Sequence, residues 1–496
     1  MRCLKQTPSV AYVFNSANHT RFEHSIGSMY IAEMYARNLN ISDPEKELLR
    51  LCALLHDIGH CIFSHQYDAT VYKEIYKGKH GHDIHGRKII KKYLPDVLVE
   101  TYNEEKLKKS ITSSGLEKYL KSNIKQSIQL IMNDISEILK GEKRGEKTIY
   151  YNIIQGPLGC DRMDFIKRDS YFSGTGHYGG FPLDRLIFYS SIRKDANGNR
   201  ILCYSSKILD DIIVFLINRF HMFINVYFRK ACRALDLIFQ QLLSHSMEPL
   251  DLVKRTSEFR EFEKLNELNL FYEISDYYKK NFEKLKKRIL RKNIYDDEKA
   301  TEKRILDYLC GRIEIDEFYS EISIAFRDFK EENVKNLLKM LKKVLEAYQL
   351  TERILERNFY KTVIEDRVIL TEELIRRTSP GEFLKTIAKE KKEELEKIYT
   401  EKEGDECPKL FIDIPYEIKM SPTGELTKSN IQIYDEIEKI PKNYRDIERE
   451  RSFRTWNLES FNIYRIYTTS NTERNKLLPY AIKIMKKEGL EVDTSY

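Results

Sequence analysis

Eight of the chain's 11 histidines, His19, His24, His56, His60, His65, His80, His82 and His85, fall between residues 19 and 85. Uniform scattering over 496 residues would put only one or two of them there. Imidazoles crowded among carboxylates are the raw material of a metal site or an acid–base site. The run Leu51-Cys-Ala-Leu-Leu-His56-Asp57-Ile-Gly59-His60 reads as an apolar helix ending in imidazole and carboxylate side by side. A buried helix end would hold both rigidly, and Gly59 reads as a turn that brings His60, and then His65, back over the same place. His24 lies on a second helical segment, Arg21-Phe-Glu-His24-Ser-Ile-Gly27. A third segment carries Asp161, Asp164, Phe165, Arg168, Asp169 and Phe172 at helical intervals, forming one stripe. That stripe is too charged for a core and too aromatic for plain surface, as a wall lining a ligand would be.

The elements that must position these groups are mostly helices. Apolar residues recur at three- and four-residue spacing over 26–39, 48–55, 124–139, 208–243 and 334–355. Strand signals are few: 185–193 with 200–205 reads as a hairpin across Asp195-Ala-Asn-Gly-Asn199, and 408–418 is a second candidate. The expected fold is mainly α, a helical bundle with a small β-hairpin and a mixed α+β C-terminal region. Three consecutive regions are expected: 1–245 with the histidines and glycine turns, a charged helical region at 246–400, and 401–496. The Lys/Glu runs at 286–292 and 389–403 read as solvated helix faces.

Composition narrows the class. Hydrophobic residues make up 41% and charged residues 32%, a globular balance that excludes a disordered chain. The net charge of +7 suits an anionic small ligand without demanding nucleic acid. Eight scattered cysteines without a Cys-x-x-Cys pair read as reduced thiols, not a disulfide frame or zinc ribbon. The most apolar stretch, 208–228, is interrupted by Asp210, Asp211, Arg219 and His221, so it does not read as a membrane span. With no basic segment leading into an apolar one at the start, a cytoplasmic location is expected.

Arg21-Phe-Glu-His24-Ser, His56-Asp57-Ile-Gly-His60-x-x-Phe-Ser-His65-x-x-Asp68 and Cys160-Asp161-Arg162-Met-Asp together resemble the HD-domain phosphohydrolases. The nearest branch is the deoxynucleoside triphosphate triphosphohydrolases, both the sterile-alpha-motif type and prokaryotic relatives. The resemblance covers about 2–240 well, 350–365 weakly and the last hundred residues only loosely. It implies an HD-domain bundle in which His24, His56, Asp57 and Asp161 hold one divalent metal. Two imidazoles and two carboxylates suit Mn, Fe, Mg, Ni or Zn alike. It further implies that His60, His65 and His82 serve as catalytic groups near the phosphate ester, with Asp68 orienting an imidazole. Gln6, Phe165, Asp169 and Tyr227 would meet base or sugar, and Arg21, Arg162 and Arg219 would hold phosphates, since guanidinium pairs phosphate bidentately.

The implied reaction is metal-dependent hydrolysis of deoxynucleoside triphosphates to deoxynucleoside and inorganic triphosphate, with His65 or His82 protonating the departing 5′ oxygen. The alternatives are an HD-type phosphodiesterase or nuclease on cyclic nucleotides or single-stranded nucleic acid, and a nucleotide-sensing interaction protein. Two departures bear on regulation. The family's segment before Gln6, which helps read a guanine activator, is expected to lack a counterpart, so that either activation differs or the true start lies further upstream; Arg2 matches one basic residue of that activator site. Arg357 and Lys361 match a helix that grips activator phosphates, and their i,i+4 spacing would put both on one face. A homo-oligomer, dimer or tetramer, and an activating nucleotide are expected by resemblance only.

Overall fold

The computed structural model describes residues 1–78, 80–141, 147–195, 197–369, 380–415, 431–444, 447 and 461–487. The protein is mainly helical, as expected, with two small sheets. The main helices are α1 (Arg21–Asn38), α2 (Asp43–Leu55), α3 (Gly81–Lys88), α4 (Ile124–Lys140), α5 (Lys147–Gln155), α6 (Cys160–Phe172), α7 (Leu209–Met222) and α8 (Lys230–Ser246). They continue with α9 (Glu267–Leu290), α10 (Glu298–Leu309), α11 (Ile315–Ile322), α12 (Glu331–Leu355), α13 (Pro380–Glu403) and α14 (Asn471–Lys487). Among the described residues no single helix is long and apolar enough to cross a membrane.

The chain packs as two units, one of Met1–His60, His82–Leu235 and Phe359–Tyr496, the other of Cys61–Gly81 and Asp236–Asn358. Three consecutive regions divided near 245 and 400 are therefore not the arrangement found. The late residues group with the early ones because the strands pair that way. Strands β1 (Ser190–Lys194) and β2 (Arg200–Ser205) form the expected hairpin, although residues 183–188 before it are helical. Strand β5 (Gln432–Asp435) then adds to β2 in parallel, and β6 (Ile440–Asn443) pairs with β5. The second sheet has the order β3 (Lys361–Ile369), β7 (Phe461–Thr468), β4 (Phe411–Asp413). Of the strand expected at 408–418, only 411–413 forms, and 416–418 lie outside the described residues.

In the first unit, α1, α2, α4, α5 and α6 bury their apolar faces in one core, with Tyr35, Cys52, Ile135, Ile153 and Met163 essentially inaccessible to solvent. A separate apolar layer holds α13 and α14 against the β3–β7–β4 sheet. The second unit is built on its own core of α9 to α12, centred on Ile289, Ile305, Phe318 and Leu338. Its short segment 61–81 includes Phe63, stacked on Phe239 at 3.9 Å.

Two local devices aim the histidines. A capping box fixes the start of α1: the Thr20 hydroxyl accepts from the Glu23 amide while Glu23 Oε2 accepts from the Thr20 amide at 2.6 Å. That sets the first turn four residues before His24. Gly59 acts differently from the turn expected of it. It has no left-handed φ; instead a Cβ there would lie 2.0 Å from the His82 carbonyl and 2.4 Å from the Gly86 amide. Glycine is needed so that the loop after α2 can touch the backbone of α3. His85, on that helix, is buried rather than exposed, whereas His80 is exposed.

Two outcomes test this packing. Gly59→Ala forces backbone apart, and should cost about 2–5 kcal/mol in chemical denaturation. His85 is pushed down to about 4 by burial, reinforced by Lys88. Its contribution to stability is complete above its unfolded pKa of about 6.5 and is lost as pH falls towards 4. The pH slope of unfolding free energy across that window should therefore shrink by about one proton in His85→Gln.

Candidate metal centre and substrate wall

The four side chains expected to hold a metal converge from three segments of the first unit. His24 Nε2 lies 3.3 Å from His56 Nε2 and 3.1 Å from Asp161 Oδ1. His56 Nε2 is 3.4 Å from Asp57 Oδ1 and 3.5 Å from Asp161 Oδ1, and His24 Nε2 is 3.8 Å from Asp57 Oδ2. α1 supplies His24, the end of α2 supplies His56 and Asp57, and the first turn of α6 supplies Asp161. Asp161 is not a helix cap; the capping position is Gly159, and the Asp161 carboxylate sits in the favourable field of the helix start.

The donor set fits a cation. His56 Nδ1–H donates to the Ala53 carbonyl at 2.8 Å, and His24 Nδ1–H donates to Asp164 Oδ2 at 2.7 Å. Both Nε2 atoms therefore face the centre together with two carboxylates. The ligand atoms of His24, His56 and Asp57 all lie within 4.8 Å of one another, a spacing that suits metal–ligand bonds of about 2.0–2.2 Å, and Asp161 adjoins the two imidazoles. The local field favours positive charge: burial opposes charging His24, but hydrogen bonds to Asp161 and Asp164 outweigh it and push the ring up to about 10, so a metal ion bound there would take the place of the Nε2 proton. Against the same penalty of burial, His56 and Arg21 hold the Asp57 carboxyl well below the usual range, so it stays ionised.

Asp164 belongs to this site although its stripe position read as part of a substrate wall. Its two oxygens accept Arg168 Nε and Nη2 at 2.9 Å each, while Oδ2 also receives His24. Gly27, one turn past His24, makes room: a Cβ there would fall 1.8 Å from Asp164 Oδ1. The signal was available as a carboxylate one turn after Asp161 and one turn before an arginine. Arg21, expected on phosphate, is instead seen donating to Asp57 Oδ2 at 2.5 Å and to the Gln6 carbonyl at 3.4 Å.

The rest of the wall is polar and held from both sides. Asp169 Oδ1 accepts His19 Nε2 at 2.7 Å and Oδ2 accepts the Tyr227 hydroxyl at 2.6 Å. His19, left unassigned from the sequence, stacks on Phe172 at 4.7 Å. The Phe165 ring stands edge-on to Tyr227 at 6.4 Å. Gln6 Oε1 is buried with no hydrogen-bond partner among the described residues. Arg162 and Arg219 lie within reach of each other's charge; burial lowers both guanidinium pKa values, and their mutual repulsion lowers Arg219 further. The Asp161 carboxylate offsets part of that cost for both.

Arg219 and Tyr227 share a side for a reason spacing alone does not give. Eight residues of plain α-helix would leave them about 80° apart. The helix widens into a π-turn over Phe223–Tyr227, closed by the Phe228 amide donating to the Phe223 carbonyl at 2.7 Å. The extra residue in that turn swings Tyr227 back towards the azimuth of Arg219.

His60 Nε2 is 3.4 Å from Asp57 Oδ1, and its ring stacks on His82 at 4.0 Å. Burial, then the charges of Arg21 and His82, keep His60 well below the usual imidazole range and hence neutral. His65 and Asp68 lie in the second unit, paired to each other at 3.5 Å, with the His65 side chain 72% exposed. The helix face expected for Arg357 and Lys361 does not form: α12 ends at Leu355, Arg357 is left-handed at φ +57°, and Lys361 opens β3. Arg2 is exposed, its guanidinium 4.5 Å above the Phe22 ring.

Comparison with known proteins agrees with this geometry. Residues 21–148 match the HD domain family, a stretch holding three of the four converging side chains, with Asp161 beyond it. An uncharacterized protein of Methanocaldococcus jannaschii is 30% identical over 297 residues, 60% of this chain and 52% of the relative. A Dictyostelium discoideum protein named deoxynucleoside triphosphate triphosphohydrolase SAMHD1 homolog is 25% identical over 309 residues, 60% of this chain and 54% of the relative. A Gallus gallus protein named deoxynucleoside triphosphate triphosphohydrolase SAMHD1 is 26% identical over 228 residues, 40% of this chain and 34% of the relative. The chain spans about half the length of the first curated relatives it matches. The fold resembles a crystal structure of a hypothetical protein from Aquifex aeolicus, with a TM-score of 0.57 at 22% identity over 96% of this chain and 91% of that one. Residues 21–148 thus resemble the HD domain, and the chain is similar to proteins named for deoxynucleoside triphosphate triphosphohydrolase activity.

The support given to His24 is measurable. Asp164→Asn keeps the shape but replaces a carboxylate acceptor by an amide; Mn²⁺ affinity, read by calorimetry, should fall about 10–100-fold with the fold retained.

Proposed function

We propose that the protein is a metal-dependent phosphohydrolase that cleaves deoxynucleoside triphosphates into deoxynucleoside and inorganic triphosphate. The coarse part, a metal-dependent HD phosphohydrolase, is supported by the HD match and by the convergence of His24, His56, Asp57 and Asp161. The observation that carries the finer part is the wall beside that cluster. Asp169, gripped by His19 and Tyr227, offers its remaining lone pairs to a sugar hydroxyl, and Arg219, within reach of the charges of Tyr227 and Arg162, offers positive charge to phosphate.

A divalent ion held by the four side chains would supply positive charge at the phosphate and lower the pKa of water. The chain's own groups do the rest. Arg162 and Arg219 hold phosphate oxygens, whose charge offsets their mutual repulsion. Arg21 fixes the Asp57 carboxylate and so keeps its second oxygen aimed at the centre. Neutral His60 accepts a hydrogen bond or a proton beside the phosphorus under attack. His82, with its ring against His60, gives a proton to the 5′ oxygen as the α-phosphorus bond breaks. Phe165 and Tyr227 bound the sugar, while Gln6 Oε1, which meets no partner among the described residues, accepts from a sugar hydroxyl.

The test uses purified full-length chain with Mn²⁺, each dNTP and each NTP, and assays inorganic triphosphate. Triphosphate release from dNTPs is expected, with loss of at least about a hundredfold in turnover for His56→Ala or Asp57→Ala. Asp169→Asn should mainly raise KM. Release of mononucleotides from single-stranded DNA or from cyclic nucleotides, with no triphosphate from any nucleotide, would contradict the proposal.

A further inference from the structure

The late sheet of the first unit lends no side chain to the metal-capable cluster, yet it is bolted to the helix that follows Tyr227. Arg233, in the first turn of α8, sends Nε and Nη2 to Asp413 Oδ2 and Oδ1 at 3.1 and 2.6 Å. Asp413, on β4, is 3% exposed. Its register partner on β7, Arg465, is equally buried and binds Glu365 of β3 at 2.6 Å. The Tyr467 hydroxyl donates to the Lys230 carbonyl at 3.0 Å. Charges taken this far out of water persist only when paired, and a two-pronged guanidinium–carboxylate contact fixes orientation as well as distance.

The same sheet reaches the π-turn. Ile463 of β7, 1% exposed, packs with Phe228, and Phe220, Phe223, Ile224 and Tyr227 close around that pair. Phe223 stands 5.0 Å from the Tyr227 ring and 5.1 Å from the Arg219 guanidinium. A π-turn is intrinsically unfavourable and holds its register only if the surroundings fix both ends. One end is continuous with α7, and the other runs through Phe228 into α8, where Arg233 is anchored.

We propose that the Arg233–Asp413 pair is a positioning device that sets the π-turn, so that the late sheet holds Tyr227 on Asp169 and Arg219 towards the anion. This rests on the reading above only in taking Tyr227 and Arg219 to face the nucleotide.

The test compares wild type, Asp413→Asn, Arg233→Lys and the double variant Arg233→Ala/Asp413→Ala, each checked for fold and Mn²⁺ content. Arg233→Lys keeps the charge but cannot make the two-pronged contact, so it serves where Asp413→Asn folds poorly. Amide hydrogen exchange with Mn²⁺ and no nucleotide should show residues 223–228 exchanging about tenfold faster in either single variant. In the turnover assay, KM for the dNTP should rise about tenfold while kcat changes little and metal content is unchanged, with the double variant no worse than either single one. If wild type releases no triphosphate, the functional reading fails and the exchange experiment alone decides. Exchange at 223–228 equal to wild type in a folded single variant overturns the proposal, as does an unchanged KM in an active one.

Discussion

The imidazole of His24 is gripped at both ends, and the rest of the site depends on that grip. Its Nδ1 is committed to Asp164, so its Nε2 must look inwards at His56 and Asp161. Asp164 can come so near only because residue 27 has no side chain, and it is itself pinned by Arg168. Two imidazoles and two carboxylates gathered here favour positive charge among them, as the raised His24 ring reports. Such a convergence is tolerated in folded proteins when a cation satisfies it.

Around that point the molecule solves a placement problem with parts far apart in sequence. A capping box starts α1 in the right phase for His24. The contact of Gly59 with the backbone of α3 brings the histidine-aspartate end of α2 against His82. α6 presents Asp161 and Asp164 inwards one turn apart, and Asp169 farther along the same helix receives His19 and Tyr227 from elsewhere. The late sheet, paired through β7 and clamped at Asp413, carries the register of the π-turn. Metal-capable cluster and substrate wall thus have separate mechanical supports within one unit.

Much of this was legible in the residues. The crowding of histidine, the His56-Asp57 pair at a helix end and the stripe on α6 each reported a place where chemistry outranks packing, and all four proposed ligands converge. The chain-wide helical content followed from apolar spacing. What spacing could not show was which carboxylate serves which partner. Asp161 and Asp164 look alike on a helical wheel, and only packing against α1 separates a centre-facing group from one that steers His24. Gly59 misled in the same way, and Gly27 went unread: the close approach at each depends on neighbours distant in sequence. A π-turn leaves no compositional mark, so the alignment of Arg219 with Tyr227 could not be read from a count of eight. Arg357 and Lys361 fail for a related reason, since helical spacing means nothing once the helix has ended at Leu355.

The central claim is that one divalent ion is held among His24, His56, Asp57 and Asp161. Anomalous diffraction from crystals of the full chain loaded with Mn²⁺ addresses it without reference to any substrate. A single strong peak within bonding distance of both Nε2 atoms and both carboxylates is the result this account requires. A manganese peak elsewhere, with these four side chains binding no ion, would contradict it.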